Sequence, residues 1–280
     1  MSAWRIEEIP AFCITLERRP DRWKRFQDQY GVSYLPKLRR FLAVDGKTID
    51  VIHDPRIAIP TKRNILIKER RSHEEIDSVG AVGCALSHIA IWQWMRDNNA
   101  PIVLVFEDDA VVPPDFVSRA NSVIEKSAIL QKPGKSWDLW LIGANWQANS
   151  SSRLEKSSFL EKPSVWFLSH CYVITLPYAA KLLEDALPIT THIDFWMSNY
   201  AIIHKSRQVA TPLLKLTQYE RAKTDIQTNG ANVSVVDVPT NFTDSHVLVT
   251  KGDWALARTA EALCLVLLGV LAYKFTIKTL

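Results

Sequence analysis

The chain has 280 residues, 47% of them hydrophobic and only nine glycines, enough to bury one large core or two small ones. Its net charge of +4 is mild for this length, gives no basic stripe for nucleic acid and does not oppose an anionic small substrate. The four cysteines, Cys13, Cys84, Cys171 and Cys264, lie far apart with no C-x-x-C spacing, which suggests neither a zinc site nor a disulfide framework; each reads as a buried small hydrophobe.

The N-terminal stretch shows no charged region leading into an apolar one, so no cleaved secretory signal is visible. The expected setting is cytoplasmic, or membrane-associated through the C-terminus. The sequons at Asn149, Asn232 and Asn241 would matter only in a secretory lumen.

Strand-like apolar runs then alternate with helical patterns, which predicts an α/β sheet built from βα units. Residues 11–16, AFCITL, form a first strand, and RPDRWKRFQDQY follows as a helix with Pro20 at its first position. RRFLAVDG is a second strand closing at Gly46. Residues 56–78 are charge-dense and aperiodic and read as a mobile surface insertion. AVGCALSHIAIWQWM carries Val82, Ala85, Leu86, Ile89 and Trp92 at helical spacing. PIVLVF is apolar throughout, as a central strand covered on both faces should be. WDLWLIG (137–143) and VWFLSHCYVIT are further strands; PYAAKLLEDAL and HIDFWMSNYAIIH are helices. The polar stretch 219–245 reads as a partly irregular tail running over the sheet.

The C-terminus differs in kind. Residues 262–273, ALCLVLLGVLAY, are uncharged but fall short of the ~20 residues a membrane span needs. Starting at Trp254 lengthens the segment to twenty at the cost of including Arg258 and Glu261. It is either a terminal helix packed on the domain or a membrane tether, inserted or interfacial. The domain proper then covers 1–250, with 254–280 as an apolar appendage.

The chemistry concentrates where PIVLVF ends in Glu107, Asp108 and Asp109. Ligands of open α/β sheets bind beyond the carboxyl ends of strands, and in an extended chain residues i and i+2 face the same way. Glu107 and Asp109 therefore aim at one point while Asp108 turns aside, an arrangement suited to Mn²⁺ or Mg²⁺. The alternative is an acidic strand-to-loop junction capping a nearby helix.

Arg18, Arg19 and Arg22 surround a helix start that suits a diphosphate, or else form ion pairs on a solvated face. Asp45 is placed to take ribose hydroxyls, or makes an Asp-Gly turn. Ser87 and His88 sit on an apolar helix, where a histidine is either a ligand or a satisfied structural group. Asp194 is a catalytic carboxylate or a cap. Asp225 or His246 would complete a metal site. No G-x-G-x-x-G follows the first strand, which counts against a Rossmann dehydrogenase.

In order, CITLERRPDRWKRF, AVDGK, GAVGCALSHIAIWQWM, VLVFEDDA, CYVITLPYAAKLLE and HIDFW resemble the glycosyltransferase family 25 domain over about residues 10–230. That family includes lipooligosaccharide β-galactosyltransferases and the collagen galactosyltransferases. The resemblance implies a GT-A fold with a Rossmann-like sheet, a nucleotide-sugar donor such as UDP-galactose, and inverting transfer to a sugar or hydroxyl acceptor.

Glu107, Asp108 and Asp109 match the family's D-x-D-like motif, with Glu107, Asp109 and His246 expected on metal. Asp45 matches the V-D-G aspartate and Ser87 and His88 the S-H pair, which with Arg18, Arg19 and Asp108 are expected to bind donor. Asp194 is the expected base. The rival readings are a membrane-tethered sugar- or nucleotide-binding protein without turnover, and a metal-dependent nucleotidyltransferase, disfavoured by the lack of a glycine-rich triphosphate loop.

Overall fold

The computed structural model describes residues 4–147, 153–155 and 160–219. Ten strands and six α helices follow one another: β1 (Ala11–Thr15), α1 (Pro20–Gln27), β2 (Leu38–Leu42), α2 (Ile59–Ile67), α3 (Val79–Asp97), β3 (Ile102–Glu107), β4 (Ala110–Val111), α4 (Phe116–Lys126), β5 (Leu139–Gln147), β6 (Arg153–Glu155), β7 (Leu160–Glu161), β8 (Val165–Thr175), α5 (Leu176–Asp185), α6 (Ile193–Ile203), β9 (Gln208–Ala210) and β10 (Thr217–Gln218). The result is a mixed α/β domain around an eight-stranded sheet of order β2-β1-β3-β8-β5-β9-β7-β6, with β4 and β10 paired as a separate small ribbon.

Strand alternation builds the core on both faces of the sheet. Phe12 and Ile14 of β1, with Val103 and Val105 of β3, pack against α3, α5 and α6. Ala11, Cys13, Leu104 and Phe106 point the other way, against Phe26 of α1 and Phe116, Ala120 and Ile124 of α4. That double burial is why β1 and β3 read as unbroken apolar runs.

β1 lies parallel to both β2 and β3, whereas β8 runs antiparallel to β3, pairing Phe106 with Cys171. The reversal brings the beginning of β8, residues 165–169, to the edge where β3 ends in its carboxylates.

Helix α3 is longer than its apolar repeat, because Ser78 caps it by accepting the N–H of Ala81 at 3.3 Å. Its Gly83 meets the loop after β2 so closely that an added Cβ would lie 2.5 Å from the Val44 carbonyl oxygen and 2.8 Å from the Gly46 nitrogen. A Cβ on Gly46 would in turn strike the Val79 carbonyl at 1.9 Å. Strand β2 stops at Leu42, short of the expected Gly46, and Gly46–Thr48 form a single 3-10 turn capped by Asp45.

Residues 56–78 are not a surface insertion. They contain α2, and Ile57, Thr61, Asn64, Glu75 and Ile76 are buried. The segment is stitched to residues 189–192: Ile189 O accepts the Ala58 N–H and the Thr61 hydroxyl, each at 3.0 Å, and Glu74 O accepts the His192 N–H at 2.9 Å. Its charges mislead because the innermost ones are paired with each other. Glu75 takes the Arg71 guanidinium, the Arg71 N–H at 2.9 Å and the Asn64 amide at 3.2 Å.

No helix among the described residues is long and apolar enough to cross a membrane. The apolar C-terminal segment, the sequons and both Asp225 and His246 lie outside the described residues.

Removing one partner of a buried ion pair strands the other. Glu75→Ala should therefore cost about 3–5 kcal/mol in urea unfolding, whereas exposed Glu69→Ala in the same segment should stay within about 0.5 kcal/mol.

Candidate active site

A cavity of about 900 Å³ opens at the carboxyl edge of β1 and β3. Its walls come from the loop and first turns of α1 (Arg19, Arg22, Arg25), the tip of β3 (Glu107, Asp109), the start of β8 and α6 (Phe167, Leu168, Asp194, Phe195), residues 70–74, and Gln218 with Tyr219. Of the candidate site residues singled out in the sequence, Arg19, Arg22, Glu107, Asp109 and Asp194 share this space.

The others stand behind it or to one side. Arg18 is bound to Asp45 at 2.6 Å, and Asp45 also accepts the Lys47 N–H at 3.0 Å; neither lines the cavity. Ser87 is fully buried, donating to Gly83 O at 2.6 Å and accepting the Val44 N–H at 2.9 Å, so it pins α3 to the loop after β2 and has no surface for a donor. His88 is fully buried as well.

The three consecutive carboxylates have three different surroundings. Asp108 turns away and accepts Arg22 Nη1 at 2.8 Å. Glu107 accepts the Ser169 hydroxyl at 2.7 Å and has His88 Nε2 at 3.4 Å from the same oxygen. Among the described residues, the side chain of Asp109 has only the Gln218 amide, 3.4 Å from each oxygen.

The pKa values separate accordingly. Burial pushes Asp109 up to about 7, helped by Glu107 and Asp108, and Asp108 up to about 6 against the pull of Arg22. Burial acts on Glu107 too, but His88, Ser169 and His170 outweigh it, and its pKa is lowered.

A buried relay stands behind Glu107. Trp92 Nε1 donates to the Tyr172 hydroxyl at 3.3 Å, and that hydroxyl lies 2.9 Å from His88 Nδ1. Burial raises the Tyr172 pKa strongly, so the phenol keeps its proton. That proton, with Trp92 already donating, has His88 Nδ1 as its acceptor, and a neutral His88 then carries its own proton on Nε2, facing Glu107.

Cys84, His88 and Glu107 bring ligand atoms within 4.8 Å of one another. A thiol that burial holds well above its ordinary pKa does not prepare this trio for a cation. The oxygens of Glu107 and Asp109 do fit a hard divalent ion: they face one cavity, and the raised Asp109 pKa records a field that positive charge would relieve.

Several lining residues carried no sequence signal. Arg70 reaches His192 Nε2 at 3.5 Å from a segment read as peripheral. Arg25 stacks 4.3 Å over the ring of Tyr219, and the Tyr219 backbone N–H donates to Asp109 O at 2.9 Å. Arg25 lies one helical turn beyond Arg22, and that i, i+3 spacing is the one clue the sequence offered.

A carboxyl group whose folded pKa exceeds its ordinary 3.8 stabilises the fold below that value, and the contribution is lost as pH rises toward the folded pKa. In chelator, the Asp109 contribution to stability should be lost between about pH 4 and pH 7, and it is read as the difference between the native chain and Asp109→Asn. Asp109→Asn should melt higher than the native chain at pH 8, with the gap closing toward pH 4. A long-range proton–nitrogen NMR spectrum should find the proton of neutral His88 on Nε2; finding it on Nδ1 would overturn the relay.

The family model described as glycosyltransferase family 25 (LPS biosynthesis protein) matches residues 8–197. A glycosyltransferase 25 family member from Anopheles gambiae is 30% identical over 195 residues, which is 68% of this chain and 32% of that protein. An inactive glycosyltransferase 25 family member 3 from Homo sapiens is 29% identical over 177 residues, 61% of this chain and 27% of the other. A putative glycosyltransferase of Haemophilus influenzae is 32% identical over 98 residues, 35% of this chain and 31% of its own length. The chain thus spans about a third of the length of the curated relatives it matches. With a matched region that runs from before β1 into α6 and so includes the acidic tip, the α1 arginines and Asp194, this chain belongs to glycosyltransferase family 25.

Proposed function

We propose that this chain is an inverting glycosyltransferase. It moves a hexose, galactose by resemblance to the family's galactosyltransferases, from a UDP-sugar to a hydroxyl of a glycan or other hydroxylated acceptor. The observation that carries the reading is one cavity in which the α1 arginines and two carboxylates, Glu107 and Asp109, face the same space.

Arginine side chains and an anion-bridging metal are what a sugar diphosphate needs. Arg19, Arg22 and Arg25 bind and orient the diphosphate, with Asp108 keeping Arg22 in place at 2.8 Å. Glu107 and Asp109 would hold a Mn²⁺ or Mg²⁺ ion, which would supply positive charge where negative charge develops on the departing UDP. Glu107, kept ionised by its neighbours, would anchor the ion, and Asp109, whose pKa burial raises, would give the site its response to pH.

Asp194 lies on the wall formed by β8 and α6. Its oxygens each accept one backbone N–H, from Leu168 at 2.7 Å and Phe195 at 2.9 Å, which fixes the carboxylate and leaves lone pairs for an acceptor hydroxyl. In this reading it removes the hydroxyl proton as the oxygen attacks the anomeric carbon from the side opposite UDP.

The human and bovine relatives named inactive favour a second reading, a sugar- or nucleotide-binding protein without turnover. Release of UDP separates the two. The full chain, screened against UDP-sugars and simple acceptors, should release UDP with Mn²⁺ and stop in chelator. Asp109→Ala should lower release at least about 100-fold with unchanged circular dichroism; full activity in that variant would sink the metal assignment. Asp194→Asn should lower kcat about 100-fold or more while UDP binding is kept. Binding of UDP with no release from any donor would favour the second reading.

A further inference from the structure

The wall opposite the arginines is aromatic. Phe167, at the start of β8, and Phe195, in the first turn of α6, lie nearly parallel, with ring centroids 6.3 Å apart and planes inclined by 15°. Both line the cavity, as does the neighbouring Val165, and Phe167 and Val165 remain 38% and 41% exposed. Large apolar side chains left open to a cavity beside carboxylates offer a surface for the apolar face of a ligand.

Their placement is enforced. Leu168 adopts φ +67°, a left-handed conformation that is costly for leucine and persists only when its surroundings hold it. Asp194 does the holding: one oxygen accepts the N–H of Leu168, next to Phe167, and the other accepts the N–H of Phe195. A single carboxylate therefore fixes the backbone beside both rings.

Strand order then assigns the wall a side. The sheet runs β1-β3-β8, so the arginines that follow β1, the carboxylates that end β3 and the rings that begin β8 succeed one another across the cavity. A UDP-sugar held by its diphosphate at the arginines and carboxylates leaves the aromatic wall to the group that receives the sugar.

We infer that Phe167 and Phe195, with Val165, form the acceptor subsite, and that it takes a pyranose ring lying with its C–H face against Phe167 and a hydroxyl directed at Asp194. This rests on the glycosyltransferase reading and adds to it the chemical class of the acceptor: a sugar, not a free amino-acid hydroxyl. An aromatic face suits the apolar side of a pyranose, while Ser169 and Asp194 beside it offer polar partners for the ring hydroxyls.

The test uses the full chain with UDP and Mn²⁺ and probes it with methyl β-galactopyranoside and methyl β-glucopyranoside by saturation-transfer NMR, with UDP affinity measured separately by calorimetry. At least one glycoside should bind, with saturation concentrated on protons of one ring face. Phe167→Ala should weaken glycoside binding about tenfold, Phe167→Tyr should keep it, and neither should change UDP affinity more than about twofold. The inference fails if the native chain binds neither glycoside, or if Phe167→Ala binds as well as native. It fails too if UDP affinity drops in parallel, which would place the uracil on the ring instead. Failure of the native chain to bind UDP at all would remove the underlying reading as well.

Discussion

Three adjacent carboxylates at the end of a strand buried on both faces repel one another, and the architecture around the cavity follows from how that repulsion is divided. Glu107 is given a hydroxyl and a histidine and stays ionised. Asp108 is given an arginine. Among the described residues Asp109 is given only a distant amide, so the unresolved part of the charge collects on one side chain facing the cavity. A protein concerned only with stability would have neutralised it. The uneven division leaves Asp109 as the carboxylate most responsive to added positive charge.

The reversed strand β8 matters for a related reason. It supplies Ser169 and, through Tyr172, the support behind His88, and its first residues form the wall beyond the carboxylates. Had β8 run parallel to β3, that end would lie at the opposite edge of the sheet, and the tip of β3 would face an open groove with arginines on one side only. The arginines, the carboxylates and the aromatic wall are therefore brought to one cavity by one change of strand direction.

Much of this was legible in the sequence where apolar pattern governed it. The strands at 11–16 and 165–175, the helix at Pro20 and the facing of Glu107 and Asp109 follow from burial on both faces, ring geometry and two-residue alternation. The reading failed where polar groups are buried against each other. Residues 56–78 hide Thr61, Asn64, Arg71 and Glu75 inside, so α2 shows no apolar stripe and its charge looked like exposure. Ser87 and His88 read as donor-binding in the sequence, but α3 turns them toward a backbone loop and a buried tyrosine, which a linear sequence cannot show. Phe167 and Phe195 are 28 positions apart, and only the fold stacks them.

The contact between Gly83 and the loop carrying Gly46 has a bearing on motion. Two backbones that leave no room for a methyl group cannot slide past one another, and Ser87 fastens them further. Helix α3 and the end of β2 therefore behave as one rigid body, and the floor of the cavity moves, if at all, as a block. Any opening and closing that admits substrates must be carried by the rim: the loop into α1, residues 70–74, and the strand that ends at Tyr219 over Arg25.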